Sequence, residues 1–201
     1  MSTVPVETWD AVAAAARTCT ACPELAATRQ QVVFGQPATL PPYDVVLLGE
    51  APGADEDARG VPFVGRSGQL LDLLLTEAGL PRAEVSVVNV LKCRPPGNRK
   101  PARLEMANCR GWLDRQLALL DPLLVVTLGG TATEAMLGRG ARLTQLRGRD
   151  HLVDGRVVVA TYHPSAAIRF GPRGAPRAAL AEDLAYVARR VNELRDQRGK
   201  G

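Results

Sequence analysis

Three groups of residues in this sequence are hard to explain by packing or solubility alone. The first is a set of four cysteines, Cys19, Cys22, Cys93 and Cys109, spaced C-x2-C, a long gap, then C-x15-C. Disulfides are disfavoured in a reducing compartment. Four thiolates satisfy tetrahedral zinc as readily as an iron–sulfur cluster, so the spacing leaves both open. The second group is residues 49–65, GEAPGADEDARGVPFVG, with four glycines and two prolines among acids. Such a chain turns tightly and exposes backbone N–H groups, as a phosphate cradle does. It lacks the Gly-Lys-Ser/Thr ending of a P-loop, and Glu50, Asp55, Glu56 and Asp57 would repel a triphosphate unless a metal intervened. A metal-dependent nucleotide enzyme is therefore a weak reading. The third group comprises Asn89 and His163, polar residues that follow apolar runs, and a basic loop. Lys92, Arg94, Arg99, Lys100 and Arg103 fall within twelve residues, interrupted by Pro95, Pro96, Gly97 and Pro101. Cations on a loop with accessible amides suit phosphate contacts, and a solvated basic loop is the plain alternative.

These residues need a frame that brings them together. Residues 44–49 (DVVLLG), 85–90 (VSVVNV) and 123–128 (LLVVTL) are short β-branched runs without alternation, the pattern of strands buried on both faces. Helical periodicity is predicted over residues 68–78, 103–120 and 131–137. Residues 151–162 hold two apolar runs around Asp154-Gly155, a hairpin signal ending in the strand VVVAT. An amphipathic helix is predicted over residues 176–195, with a frayed tail after Gln197. The alternation predicts an α/β fold, a three-layer α/β/α domain on a central, mostly parallel four-stranded sheet. Ligands of such sheets bind outside the carboxyl ends of the strands. Residues 50–65, 89–101 and 163–169 each follow a predicted strand, so all three are expected to line one cleft.

Length and composition agree with a single domain over residues 1–201: 46% of the chain is hydrophobic and 23% charged, enough apolar content for one core. No apolar run approaches the roughly 18 residues a membrane span needs, and the Ala-rich stretch near residue 12 follows Glu7 and Asp10 instead of a basic leader. A cytoplasmic monomer without membrane attachment is expected. The formal charge of +4 and the pI near 9.1 fit a nucleic-acid binder no better than a basic housekeeping enzyme.

The segment GEAPG, its acids and PFVG closely resemble the first motif of the family 4 uracil-DNA glycosylases, the iron–sulfur branch of that superfamily. NVLKCRPPGNRKP is similar to the family's second motif, and YHPSAAIR to its His-Pro-Ser motif. With the cysteines, the resemblance spans roughly residues 17–195 in one order. It implies a uracil-DNA glycosylase-like fold, uracil-containing DNA as substrate, and a [4Fe–4S] cluster on Cys19, Cys22, Cys93 and Cys109. It also implies the reaction: the enzyme flips uracil out of DNA and hydrolyses its glycosidic bond, leaving an abasic site.

The chemistry of uracil excision explains why these residue types belong together. The base must be unstacked, held in a tight pocket and read along its Watson–Crick edge. Phe63 offers a π-face for a flipped pyrimidine. The Asn89 amide has one donor and one acceptor, matching uracil O4 and N3–H, whereas cytosine reverses both groups. Cleavage leaves positive character on the sugar and negative charge on the base. His163 corresponds to the motif histidine that meets uracil O2, with the Ala51 N–H beside it as an oxyanion-type donor. Glu50 and Glu56 are the candidates for stabilising the sugar cation or positioning water. Asp55 and Asp57 read as turn residues or solvated acids, and the second histidine, His151, as a surface residue. Lys92, Arg94, Arg99, Lys100 and Arg169 are the expected phosphate contacts.

The chain also departs from its relatives. The best-known branch of the superfamily has an Asp where this chain has Ala51. After His163-Pro164-Ser165, a bulky residue and a Leu are replaced by Ala166 and Ala167, which leaves Ile168 or Arg169 to fill the vacated base stack. The branch that crosslinks to DNA has a histidine within its second motif. Gly97-Asn98-Arg99-Lys100 contains none, so turnover is expected. A catalytically weak protein that merely binds uracil-containing DNA is the rival reading, and the intact His163, Asn89 and Glu50 argue against it.

Overall fold

The computed structural model describes residues 7–39 and 44–199. The chain enters through two short helices, α1 (Trp9–Arg17) and α2 (Pro23–Thr28). The Thr8 hydroxyl caps the first by accepting the Ala11 N–H at 3.3 Å, and Pro23 starts the second. Strand β1 (Val45–Gly49) leads to α3 (Ala54–Arg59) and α4 (Arg66–Glu77). Strand β2 (Val85–Asn89) leads to α5 (Arg103–Leu120), and β3 (Leu124–Leu128) to α6 (Gly130–Leu137) and the single turn α7 (Leu143–Leu146). A hairpin of β4 (Asp150–Val153) and β5 (Arg156–Thr161) precedes α8 (Pro164–Phe170) and α9 (Ala175–Arg198).

Every residue of β1, β2 and β3 is buried, as expected for β-branched runs covered on both faces. The sheet order is β2-β1-β3-β5-β4, with β2, β1, β3 and β5 parallel. The sheet therefore has five strands, one more than the sequence predicts. The addition is β4, antiparallel to β5 and last in the order. It is a four-residue arm, and its Leu152 is exposed, so it lacks the apolar signature of its neighbours. Asp154 and Gly155 both take positive φ in the turn, the geometry a two-residue hairpin loop needs.

Two apolar layers cover the sheet. On one face, α4 contributes Leu71, Leu74 and Leu75, while α9 contributes Leu180, Leu184, Val187 and Val191, a stripe at helical spacing. On the other, Leu113, Leu117 and Leu120 of α5 pack with Ala132 of α6. A third cluster joins α1, α2, Leu91, Cys93 and Cys109, and ties the N-terminal helices to the segment after β2. The α9 helix runs through Arg198, so the frayed tail expected after residue 197 is helical for one further residue. Among the described residues no helix is long and apolar enough to cross a membrane.

Candidate functional site

Strands β1, β2 and β5 end at the same edge of the sheet, and the residues after them converge. A cavity of about 240 Å³ is lined by Glu50, Ala51, Glu56, Phe63, Asn89 and His163, with Ser67, Ser165 and the loop residues Pro95, Asn98 and Arg99 also on its wall. The three segments predicted to share a cleft do share one.

The convergence depends on a missing side chain. A Cβ on Gly49, the last residue of β1, would lie 2.3 Å from Asn89 Oδ1 and 2.7 Å from the Phe63 ring. Because Gly49 has none, the amide and the ring can face each other across the strand end. Phe63 is buried, packs against the core cluster, and has φ of 55°. Holding a bulky non-glycine residue there costs on the order of 1–3 kcal/mol, so the surrounding structure must impose it. Glu56 supplies much of that constraint. Its carboxylate accepts the backbone N–H groups of Gly53 (3.0 Å), Val64 (2.9 Å) and Gly65 (2.9 Å), closing the loop around Phe63.

Asn89 is almost completely buried, and its Oδ1 has no hydrogen-bond partner within the protein. Buried polar atoms are rarely left unpaired, because each costs about 1–3 kcal/mol. On the wall of an open cavity, such an atom is a ready recognition element.

His163 caps α8. Its Nδ1 accepts the Ser165 N–H at 3.1 Å and lies 2.8 Å from Ser165 Oγ. A backbone N–H can only donate, so Nδ1 is the acceptor and the ring proton sits on Nε2. Burial pulls the imidazole pKa down to about 4, against the opposing charge of Glu56, so the ring is neutral at pH 7. Its ring centre lies 5.6 Å from that of Phe63. Gly129, with φ of 91°, gives the histidine room, since a Cβ there would come 3.0 Å from His163 Cβ.

The four cysteines meet on one side of this site. Cys19 and Cys22 lie between α1 and α2, Cys93 follows β2, and Cys109 lies on α5. They line a cavity of about 20 Å³ with Leu25, Leu91, Arg29 and Asn108. Arg29 donates to Cys93 Sγ at 3.1 Å and to the Cys19 carbonyl at 2.7 Å, and Asn108 donates to Cys22 Sγ at 3.6 Å. Burial pushes the Cys93 and Cys109 thiols up; Arg29 opposes this at Cys93 and Lys92 at Cys109. Among the described residues no three His, Cys, Asp or Glu side chains are grouped so as to hold a single metal ion.

The basic loop is less uniform than its sequence suggests. Lys92 is 1% exposed, and its Nζ donates to the Asn89 carbonyl, so it cannot reach a phosphate. Its neighbours Leu91 and Cys93 continue the buried path of β2, which carries Lys92 inside. Burial lowers its pKa to about 8, with Cys109, Cys93 and Asp114 opposing the shift. Arg99 is held by both oxygens of Glu105 (2.6 and 3.0 Å) and by Glu24 (2.9 Å). Arg94 donates to Asn98 Oδ1 at 2.7 Å. Lys100 and Arg169 are exposed.

Two residues that sequence reasoning missed hold the site in place. Asp57 is neither a turn residue nor solvated: it is 1% exposed and accepts the Gln30 and Gln31 N–H groups, fastening α3 to the segment after α2. Asp183 on α9 is buried, accepts the Thr161 hydroxyl at 2.6 Å and pairs with Arg147 at 2.8 and 3.0 Å. It anchors the end of β5, two residues before His163. Neither residue has a local sequence signal, because both act across long stretches of chain. His151, expected at the surface, is half-buried, with Nε2 2.9 Å from the Leu146 carbonyl. Beyond His163, Ala167 is buried and Ile168 half-buried, whereas Phe170 is 64% exposed.

Comparison with known proteins identifies the family of the chain. The profile of the Uracil DNA glycosylase superfamily matches residues 38–187. A type-4 uracil-DNA glycosylase of Thermotoga maritima is 40% identical over 165 residues, which covers 81% of this chain and 84% of that protein. One from Saccharolobus solfataricus is 34% identical over 191 residues, covering 90% and 86% respectively. A type-5 uracil-DNA glycosylase of Thermus thermophilus is 35% identical over 181 residues, covering 73% of this chain and 78% of that protein.

Proposed function

The chain belongs to the uracil-DNA glycosylase superfamily, and we propose that it excises uracil from DNA as an iron–sulfur, family 4 enzyme of base excision repair. It is a hydrolase of N-glycosyl bonds, and its products are free uracil and an abasic site. The observation that carries the assignment of roles is the buried, unpartnered Asn89 amide oxygen facing a cavity shared with Phe63 and His163.

A flipped uracil slides between these groups. Phe63 stacks on its face, while the Asn89 oxygen accepts N3–H and the amide nitrogen donates to O4. Cytosine presents the opposite pattern and leaves buried groups mispaired, at about 1–3 kcal/mol each. As the glycosidic bond breaks, charge builds on the base. The His163 Nε2–H, held in its tautomer by the Ser165 N–H, donates to O2, and the Ala51 N–H adds a second donor. A neutral imidazole suits this task, because it arrives with the proton already in place. Glu50 faces the sugar side as the carboxylate that opposes the oxocarbenium charge or orients water. Glu56 is the shaper of the pocket, since both its oxygens are engaged by backbone N–H groups.

Lys100 and Arg169 take DNA phosphates, with Arg94 beside them. Phe170, exposed at the end of the helix that His163 starts, is the apolar side chain available to occupy the stack that uracil leaves. The four cysteines line one cavity, and the similarity to type-4 uracil-DNA glycosylases over most of the chain supports reading them as ligands of an iron–sulfur cluster. Such a cluster would join α1, α2, the end of β2 and α5 beside the pocket. The enzyme works as a cytoplasmic monomer.

Two variants assayed on uracil-containing oligonucleotides test the roles. Asn89→Asp replaces the donor with an acceptor and should abolish uracil activity. His163→Ala should keep selectivity and DNA binding while slowing excision about 10²–10³-fold. Parental rates in either variant would overturn the assignment.

A further inference from the structure

Lys92 is the bulkiest fully buried side chain among the described residues, and the excision mechanism above does not use it. A buried ammonium without a counter-charge is among the most costly groups a protein can hold. The nearest acceptor of its Nζ is a carbonyl, that of Asn89. The opposing charges that favour its ammonium come from Cys109 and Cys93, then Asp114. Its own carbonyl accepts the Val33 N–H at 2.8 Å, and its chain neighbour Cys93 lines the cysteine cavity. Lys92 thus stands between the cysteine cavity and the peptide that carries Asn89. The next two N–H groups, of Val90 and Leu91, bond to the Gly49 and Glu50 carbonyls, so this strand end is braced against the other wall of the pocket.

We infer that Lys92 is a positioning residue: its ammonium offsets negative charge on the cysteine-bound cluster while its bond to the Asn89 carbonyl fixes the amide that reads uracil. The inference rests on the cluster reading above for its first half and on the Asn89 assignment for its second. It explains why a lysine in a basic DNA-facing loop turns inward. It also gives the cluster a task in excision without any redox step, since the sulfur side holds the lysine and the lysine holds the reading residue.

Two substitutions separate the halves. Lys92→Met keeps the length of the side chain but removes both charge and donor. Lys92→Gln removes the charge but keeps a donor for the Asn89 carbonyl. After anaerobic purification, iron content, cluster reduction potential and kcat/KM on uracil DNA are measured for both variants. Lys92→Met is expected to lower the potential, because a nearby cation stabilises the more negative reduced cluster. It should also lower kcat/KM by roughly 10–100-fold, the usual scale for such supporting residues. Lys92→Gln should show the same lowered potential with most of the excision rate restored. A parental potential in either iron-loaded variant, or a parental rate in Lys92→Met, would overturn the inference. Should Lys92→Met fail to fold, Lys92→Gln decides alone: a lowered potential with near-parental rate supports it, and a parental potential refutes it. Parental protein without iron would instead refute the cluster reading, and the rates of the two variants would still test the brace on Asn89.

Discussion

Replacing Gly49 with alanine adds one methyl group at the point where Asn89 and Phe63 meet. Gly49 has ordinary strand geometry, so an alanine backbone fits without strain and the effect is confined to the new carbon. That carbon would lie 2.3 Å from Asn89 Oδ1 and 2.7 and 2.8 Å from two carbons of the Phe63 ring. Carbon and oxygen come no closer than about 3.3 Å even in favourable C–H···O contacts. The amide oxygen must therefore retreat by about 1 Å, and the ring must give way by a similar distance. Overpacking of this kind typically costs about 1–3 kcal/mol of stability. A misplacement of about 1 Å in a positioning group costs on the order of 10²-fold in rate. Gly49→Ala should thus remain folded at 25 °C while kcat/KM on a uracil oligonucleotide falls about a hundredfold. Single-turnover excision and thermal melting of the same preparation measure the two effects. A variant that is folded and retains the parental kcat/KM would refute the argument that Asn89 and Phe63 must meet over an empty Gly49.

Three further outcomes follow from the same geometry. His163 has a folded pKa near 4 against an ordinary value of 6.5, so the folded state binds fewer protons between these values; its contribution to stability is complete above pH 6.5 and is lost as pH falls toward 4. Melting curves should show acid destabilisation in this window that is smaller in His163→Gln, and excision should show no acid limb near pH 6.5; equal acid sensitivity in the two proteins would contradict this. Neutralising Lys100 or Arg169 should reduce the salt slope of DNA binding by about 0.7–0.9 each, whereas Lys92→Met should leave it unchanged, as titrations between 50 and 200 mM salt would show. Asp183→Asn should lower stability by about 1–3 kcal/mol in urea denaturation, because it weakens the pair with Arg147 and loosens Thr161 at the end of β5; a loss below about 0.5 kcal/mol would show that this anchor is dispensable.

The frame was legible because its signals are local. The runs VVLLG, VSVVN and LVVTL are continuous, β-branched and bounded by turn residues, so they read as buried parallel strands, and α5 begins and ends where its periodicity does. The β4 arm was missed in the strand count because an edge strand of four residues with an exposed leucine has no such signature. The pocket residues were findable from motifs and from their places after strand ends. Their partners were not. Lys92 reads as a surface cation, since only the buried path it shares with Leu91 and Cys93 and its bond to the Asn89 carbonyl make it an interior one. Glu56 reads as a reactive carboxylate until its bonds to Gly53, Val64 and Gly65 are seen. Asp57 and Asp183 act on residues more than twenty positions away in sequence, a distance at which no spacing rule operates.

A pocket that reads the edge of uracil excises the base without a dissociable metal ion under the proposed function. The most direct test incubates the purified protein, with and without EDTA, with oligonucleotides that differ by one base, uracil or cytosine at the same position, and measures free base by chromatography. The expected result is stoichiometric free uracil, an abasic site cleaved by alkali, no cytosine release, and the same rate with EDTA present. Intact uracil DNA after prolonged incubation with folded, iron-loaded protein, or equal release of cytosine, would contradict it.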